Sequence, residues 1–249
     1  CTPDMVNAGT PQVIEIWNNV FMQYNRKSDG TLDELPAKCV DTGMGFERVV
    51  AVIQGKTSNY DTDVFMPLIE AVSKLSGKPY LEDETAVAMR VIADHLRALS
   101  FAIADGVMPS NDGRGYVLRR LLRRAARYGR NIGLVKPFLC KLFPVLEKQM
   151  GGFFPELTAR REEIVRALRA EEESFAATLD RGIAHFDDTV AELKKTDAAV
   201  FPGDQAFKLY DTYGFPFDLT VLMAAEKGLD VDQPRSEERR VGKECRSRW

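Results

Sequence analysis

The chain has 249 residues, 45% of them hydrophobic and 29% charged, with a formal net charge of −3. That balance excludes a disordered chain and is enough for one large packed domain or two ordinary ones. No run of about 18 apolar residues exists, which excludes a transmembrane helix.

In chain order, residues 10–41 read as β. Val13–Trp17 and Val20–Tyr24 are rich in β-branched and aromatic residues, Arg26–Gly30 is a turn cluster, and Lys38–Asp41 is a short returning strand. Thr42-Gly43-Met44-Gly45 then breaks the pattern as a turn. Phe46, Val49, Val50 and Ile53 follow at helical spacing, ending near Gly55. Beyond about residue 61 nothing alternates with period 2, and the long segments are helical. One helix holds Val64, Leu68 and Val72 and closes at Gly77. Another holds Val87, Val91, Leu96 and Ile103 and closes at Gly106. A third runs from about Tyr116 to Arg130, and a long fourth from Glu156 to about Lys195. Two short helices follow, near Asp204–Asp211 and Pro216–Lys227. A β-rich piece followed by an all-α piece makes an α+β chain of two domains, with the boundary somewhere in residues 56–85.

Residues 235–249 have neither helical nor strand period, and they back-translate into a common sequencing adapter. They are set aside as non-native. The stretch holds six Lys or Arg and three Asp or Glu, so residues 1–234 carry 28 basic and 34 acidic groups, a net −6. The chain also begins at Cys1 rather than Met, as a piece of something longer would, and it opens on no signal peptide. Cys1, Cys39, Cys140 and Cys245 are far apart, without metal-ligand spacing. That points to a reducing compartment and away from a disulfide scaffold or a metal site within these residues.

Charge is segregated. Gly113–Leu146 contains no acid but nine basic residues, Arg114, Arg119, Arg120, Arg123, Arg124, Arg127, Arg130, Lys136 and Lys141. At about 100° per residue, Leu118, Leu121, Leu122 and Ala125 fall on one side of a helix and six arginines on the other. Arginines without a sequence-local acid repel one another unless an anion is present. Two readings follow: the helix binds the phosphates of a nucleic acid or polyphosphate, or it docks against the acidic remainder.

Two further constellations carry chemistry. Asp41–Arg48 places glycines, an Asp and an Arg at a strand-to-helix corner. There backbone N–H groups can approach a ligand, a carboxylate can accept from an ammonium, and a guanidinium can take phosphate oxygens. An ordinary glycine-bearing corner is the alternative. Met108–Gly115 feeds the arginine helix. Its Asn111 is either a cap or a reader of base edges, since an amide offers both a donor and an acceptor. His95 and His185 have no partner at ligand or general-base spacing and read as structural.

These segments resemble the alanyl-tRNA synthetase family of class II aminoacyl-tRNA synthetases. The resemblance is carried by Glu15–Asn18, Val20–Gln23, Val40–Arg48, Ser58–Asp61, Arg90–Arg97, Ala104–Asn111, Arg114–Arg124 and Leu209–Pro216, in that order. It implies the C-terminal part of an antiparallel-sheet catalytic domain over residues 1–75, containing motif 3, followed by an all-α tRNA-recognition domain over 76–234. It implies that Asn18, Asp41 and Gly43 bind alanine, with Asp41 on the ammonium and Gly43 keeping the pocket methyl-sized. Glu15, Gly45 and Arg48 would bind ATP and its Mg²⁺. Asn111 and Asp211 would read a G·U wobble pair in the tRNA acceptor stem, while Arg114, Arg119, Arg120 and Arg123 hold phosphates. No side chain is expected to act as nucleophile.

Motifs 1 and 2 would lie before Cys1, and a zinc-binding editing domain after residue 234. The expected function is therefore that of an internal piece of a cytoplasmic enzyme attaching L-alanine to tRNA through alanyl-adenylate, the piece alone being inactive. The alternatives are a non-catalytic RNA-binding helical module with a remnant sheet, or a class II ligase acting on another small acid.

Overall fold

The computed structural model describes residues 2–6, 8–9, 13–81, 83–196 and 198–233. The segment 235–249, expected to be non-native, lies outside them. The chain divides into two compact units, residues 1–66 and 67–249.

The first unit is built on an antiparallel hairpin of β1 (Trp17–Arg26) and β2 (Leu32–Met44). Its turn is closed by Lys27 and Thr31, with Gly30 at φ +87°. The Asp29 carboxylate accepts the Thr31 N–H at 2.9 Å and its hydroxyl at 2.7 Å, which holds its pKa below the ordinary value. The pairing is irregular between Met22 and Tyr24, which face Cys39 and Glu34. Four residues of β2 thus oppose Gln23, and Pro36, which has no N–H to donate, sits in that bulge. Of the expected strands, Val20–Tyr24 lies within β1, but Val13–Trp17 is not a strand, only Trp17 of it joining β1, and β2 is much longer than Lys38–Asp41. It runs through Thr42 and Gly43 to Met44, so the expected glycine turn is reduced to Gly45. The Gly45 N–H donates to the Ile16 carbonyl at 3.0 Å and starts α1 (Phe46–Ile53). Cross-strand pairing outweighs the local breaking tendency of Gly43.

α2 (Met66–Ser76) leads into the second unit. There α3 (Glu84–Ala104), capped by the Asp83 carboxylate on the Thr85 and Ala86 N–H groups, packs against α4 (Gly113–Asn131). Ile92, Leu96, Leu99 and Ile103 of α3 and Leu122 of α4 are fully buried between them and their neighbours. α5 (Leu139–Met150), α6 (Pro155–Ala159) and α7 (Arg161–Lys195) follow. The long helix expected from Glu156 is therefore two helices. Arg160 leaves helical geometry (φ −106°, ψ 18°), which lets Leu157 and Ile164 both reach the core.

α5 is absent from the sequence reading; Pro137 precedes it and Pro144 lies inside it, so its local helical signal is weak. Its amino end is secured from afar by the Glu172 carboxylate, which accepts the N–H groups of Phe138 and Leu139.

The chain ends in β3 (Val200–Phe201), α8 (Gly203–Tyr213), α9 (Phe217–Glu226) and β4 (Asp230–Val231). β3 and β4 form a two-residue parallel pair, so the second unit is helical but not wholly α. A second core joins α7 to α8 and α9. Phe186 stacks on Phe201 at 5.0 Å, and Phe215 lies edge-on to Phe175 at 5.5 Å. No helix among the described residues is long and apolar enough to cross a membrane.

Candidate functional site

The hairpin register decides which side chains share a face. Asn18 pairs with Gly43 and Val20 with Asp41, so Asn18, Asp41 and Gly43 project from one side of the ribbon. The other side is held by Trp17, whose Nε1 donates to the Thr42 hydroxyl at 2.6 Å; that hydroxyl donates in turn to Asn19 Oδ1 at 2.7 Å. Arg48 Nη1 donates to the Glu15 carbonyl at 2.6 Å. Glu15, Gly45 and Arg48 therefore meet at the end of the hairpin nearest Gly43.

Gly43 has ordinary extended backbone, and a methyl built on it would meet nothing within 4 Å. Its glycine answers no demand of this chain's own packing. Gly45 differs, since a Cβ there would press on Arg48 Cδ at 3.1 Å. The Asn18, Asp41 and Gly43 face is open to solvent along its length.

In the second unit, a cleft of about 310 Å³ is lined by Asn111, Tyr116, Arg119, Arg123, Tyr210, Asp211, Gly214 and Pro216. Asn111 and Asp211, paired by the resemblance but a hundred residues apart in sequence, share one concavity with two of the expected arginines. The loop carrying Asn111 lies so close over α4 that a Cβ on Gly115 would strike Ser110 Oγ at 2.2 Å and the Met108 carbonyl at 2.3 Å. On the opposite wall, α8 ends at Gly214 in the left-handed region (φ +72°), with Arg123 donating to its carbonyl.

The arginine helix corrects part of the sequence reading. The acids missing from its own sequence arrive in space. Arg119 and Arg123 both pair with Glu171, at 3.0 and 2.8 Å. Arg120 lies 3.5 Å from Asp218, Arg127 forms a two-pronged pair with Glu226, and Arg130 reaches Asp180 at 2.9 Å. Docking against the acidic remainder is therefore realised for five of the six. Burial pulls the Arg123 pKa down, and Glu171 works against that pull. Arg114 is exposed and makes no ion pair among the described residues, and Arg120 remains 42% exposed.

The sequence reading missed Glu171 and Glu172. Both are buried, and both stand where the spacing of Ile164, Leu168, Phe175 and Leu179 calls for an apolar residue. That misfit was the available signal. Among the described residues, no group of three or more His, Cys, Asp or Glu could hold a metal ion.

The sequence matches the family described as tRNA synthetases class II (A) over residues 2–249. The chain belongs to this family. As a class II synthetase chain it also resembles curated proteins named alanine--tRNA ligase. It is 57% identical to that of Chlorobium phaeobacteroides over 232 residues, which are 92% of this chain and 26% of the relative. It is 52% identical to that of Chlorobaculum tepidum, over 99% of this chain and 29% of the relative. It is 54% identical to that of Bacteroides fragilis, over 92% and 26%. The chain thus spans just over a quarter of the length of these relatives. The stretch 235–249 falls inside the family match.

Proposed function

We propose that this class II synthetase chain is the motif 3 and acceptor-stem-reading part of a cytoplasmic alanine--tRNA ligase. In the whole enzyme the alanine carboxylate attacks the α-phosphorus of ATP, giving alanyl-adenylate and releasing pyrophosphate. The terminal ribose hydroxyl of the tRNA then takes the acyl group and AMP leaves. Such chemistry needs positioning and charge stabilisation rather than a side-chain nucleophile.

The shared face of Asn18, Asp41 and Gly43 supports the alanine assignment. Asp41 takes the ammonium, Asn18 lines the site, and the bare Gly43 leaves room for a methyl group. Glu15, Gly45 and Arg48, joined at the adjacent end, take ATP. Mg²⁺ comes with the phosphates, and Glu15, whose backbone carbonyl accepts from Arg48, brings a carboxylate to this corner.

The observation that carries the reading is the cleft that gathers Asn111 and Asp211 beside Arg119 and Arg123. A wobble pair shifts the donors and acceptors shown along an RNA groove, and two short polar groups of opposite kind can detect that shift. With Arg119 and Arg123 committed to Glu171, phosphate contacts fall chiefly on Arg114 and Arg120.

The test is ATP–pyrophosphate exchange by the longer protein that contains this chain, screened over small amino acids. Alanine should support exchange far better than glycine or serine. The 249-residue chain alone should support none, because its alanine face is open. Preference for another amino acid, or none for any, would overturn the assignment. RNA binding without adenylate formation by the longer protein would favour the non-catalytic module instead.

A further inference from the structure

Glu171 is a buried carboxylate at an apolar position of α7, between Leu168 and Phe175, and its Oε1 alone gathers two guanidinium groups. It accepts from Arg123 Nε at 2.9 Å and Nη2 at 2.8 Å, and lies 3.0 Å from Arg119 Nε. Each arginine then reaches one wall of the cleft. Arg119 Nη1 donates to Asn111 Oδ1, and Arg123 Nη1 donates to the Gly214 carbonyl at the end of the helix that carries Asp211. Thr178, also on α7, secures the same turn by donating to the Tyr213 carbonyl at 2.8 Å.

We propose that Glu171 is a positioning residue for base-pair selection: through Arg119 it sets which face the Asn111 amide shows to RNA, and through Arg123 it sets where Asp211 stands. This rests on the reading of the cleft as the acceptor-stem site.

The chemistry fixes the amide. Arginine has donors only, so the oxygen of Asn111 must face Arg119, and its NH₂ is left to donate elsewhere. The cleft is then lined by one amide donor, from Asn111, and by the Asp211 side chain. Without Glu171, Arg119 and Arg123, one helical turn apart, repel each other and neither holds its wall. A buried carboxylate is costly unless it is well paired, so its presence here marks a constraint that the apolar core does not require.

The test uses the 249-residue chain and two RNA hairpins that differ only in a G·U or a G·C pair at the acceptor-stem position. Fluorescence anisotropy gives the affinity ratio at several salt concentrations. Glu171→Gln should lower the G·U preference about tenfold, the size of one lost base-pair discrimination. Affinity for the G·C hairpin should stay level or rise, since a negative charge has been removed beside two arginines. A structural role alone would weaken both hairpins alike.

A wild-type chain that prefers G·U together with a Gln variant that prefers it equally would overturn the inference and leave the cleft assignment standing. A wild-type chain indifferent to the pair would end both. If the Gln variant does not fold, Arg119→Lys serves in its place. It keeps the charge but cannot span Asn111 and Glu171 together, and an undiminished ratio in it would also overturn the inference.

Discussion

The carboxylate of Glu172 caps the backbone of Phe138. It accepts that residue's N–H at 3.0 Å and so secures the start of α5 from a helix more than thirty residues away in sequence. The adjacent Leu139 N–H is bound at 3.1 Å by the other oxygen. Burial nevertheless dominates, pushing the Glu172 pKa up to about 7 against the pull of the backbone N–H groups and of Lys141.

This has a pH signature. The folded pKa lies above the ordinary 4.5, so the folded chain binds the extra proton between these values. The stabilisation tied to Glu172 is fully present below about pH 4.5 and is lost as pH rises through about 7. At about 1.4 kcal/mol per unit, the loss is on the order of 3 kcal/mol. Glu172→Gln should remove that part of the pH dependence. Urea unfolding of both proteins between pH 4.5 and 8 measures it, and parallel stability curves would contradict the assignment.

Gly214 is the point where backbone conformation and the cleft meet. A Cβ there would stand in the left-handed region and 2.5 Å from Arg123 Nη1. Gly214→Ala should cost about 1–3 kcal/mol in chemical denaturation. It should also weaken RNA discrimination by displacing Arg123 from the carbonyl.

Gly43 should behave in the opposite way. Its substitution by Ala meets nothing within 4 Å and asks for no unusual φ, so stability should change by no more than about 0.5 kcal/mol. In the longer synthetase the same change should raise KM for alanine and lower kcat/KM about tenfold or more, the scale of one misplaced methyl in a small pocket. A stability loss like that of Gly214→Ala would show that Gly43 serves the hairpin rather than a ligand.

The helices were largely legible in the sequence where an apolar stripe ended at a glycine. α3 and α4 close near Gly106 and Gly133, and both glycines have positive φ. The same reasoning misplaced the end of β2, because the pairing of Gly43 with Asn18 is a cross-strand fact that local propensity does not contain. α5 was hidden for a similar reason, its amino end being held by Glu172 on another helix. At the candidate site, the residues themselves pointed to Asn111, while Asp211 and the roles of both came from the resemblance. The arginines, read as a face for phosphates or for docking against the acidic remainder, are mostly met by acids contributed from α7 and α9. Only the third dimension brings those charges together. The segregation of charge allowed such docking, and two glutamates interrupting the apolar stripe of α7 marked where part of it occurs.

The most direct measurement of the central claim is binding of the 249-residue chain to acceptor-stem hairpins carrying G·U or G·C, with Asn111→Ala alongside and with salt varied. Affinity should fall steeply with salt, the wild-type chain should prefer G·U, and Asn111→Ala should abolish that preference while keeping most of the affinity. Equal binding of the two hairpins by the wild-type chain, or parallel loss of affinity for both in Asn111→Ala, would contradict it.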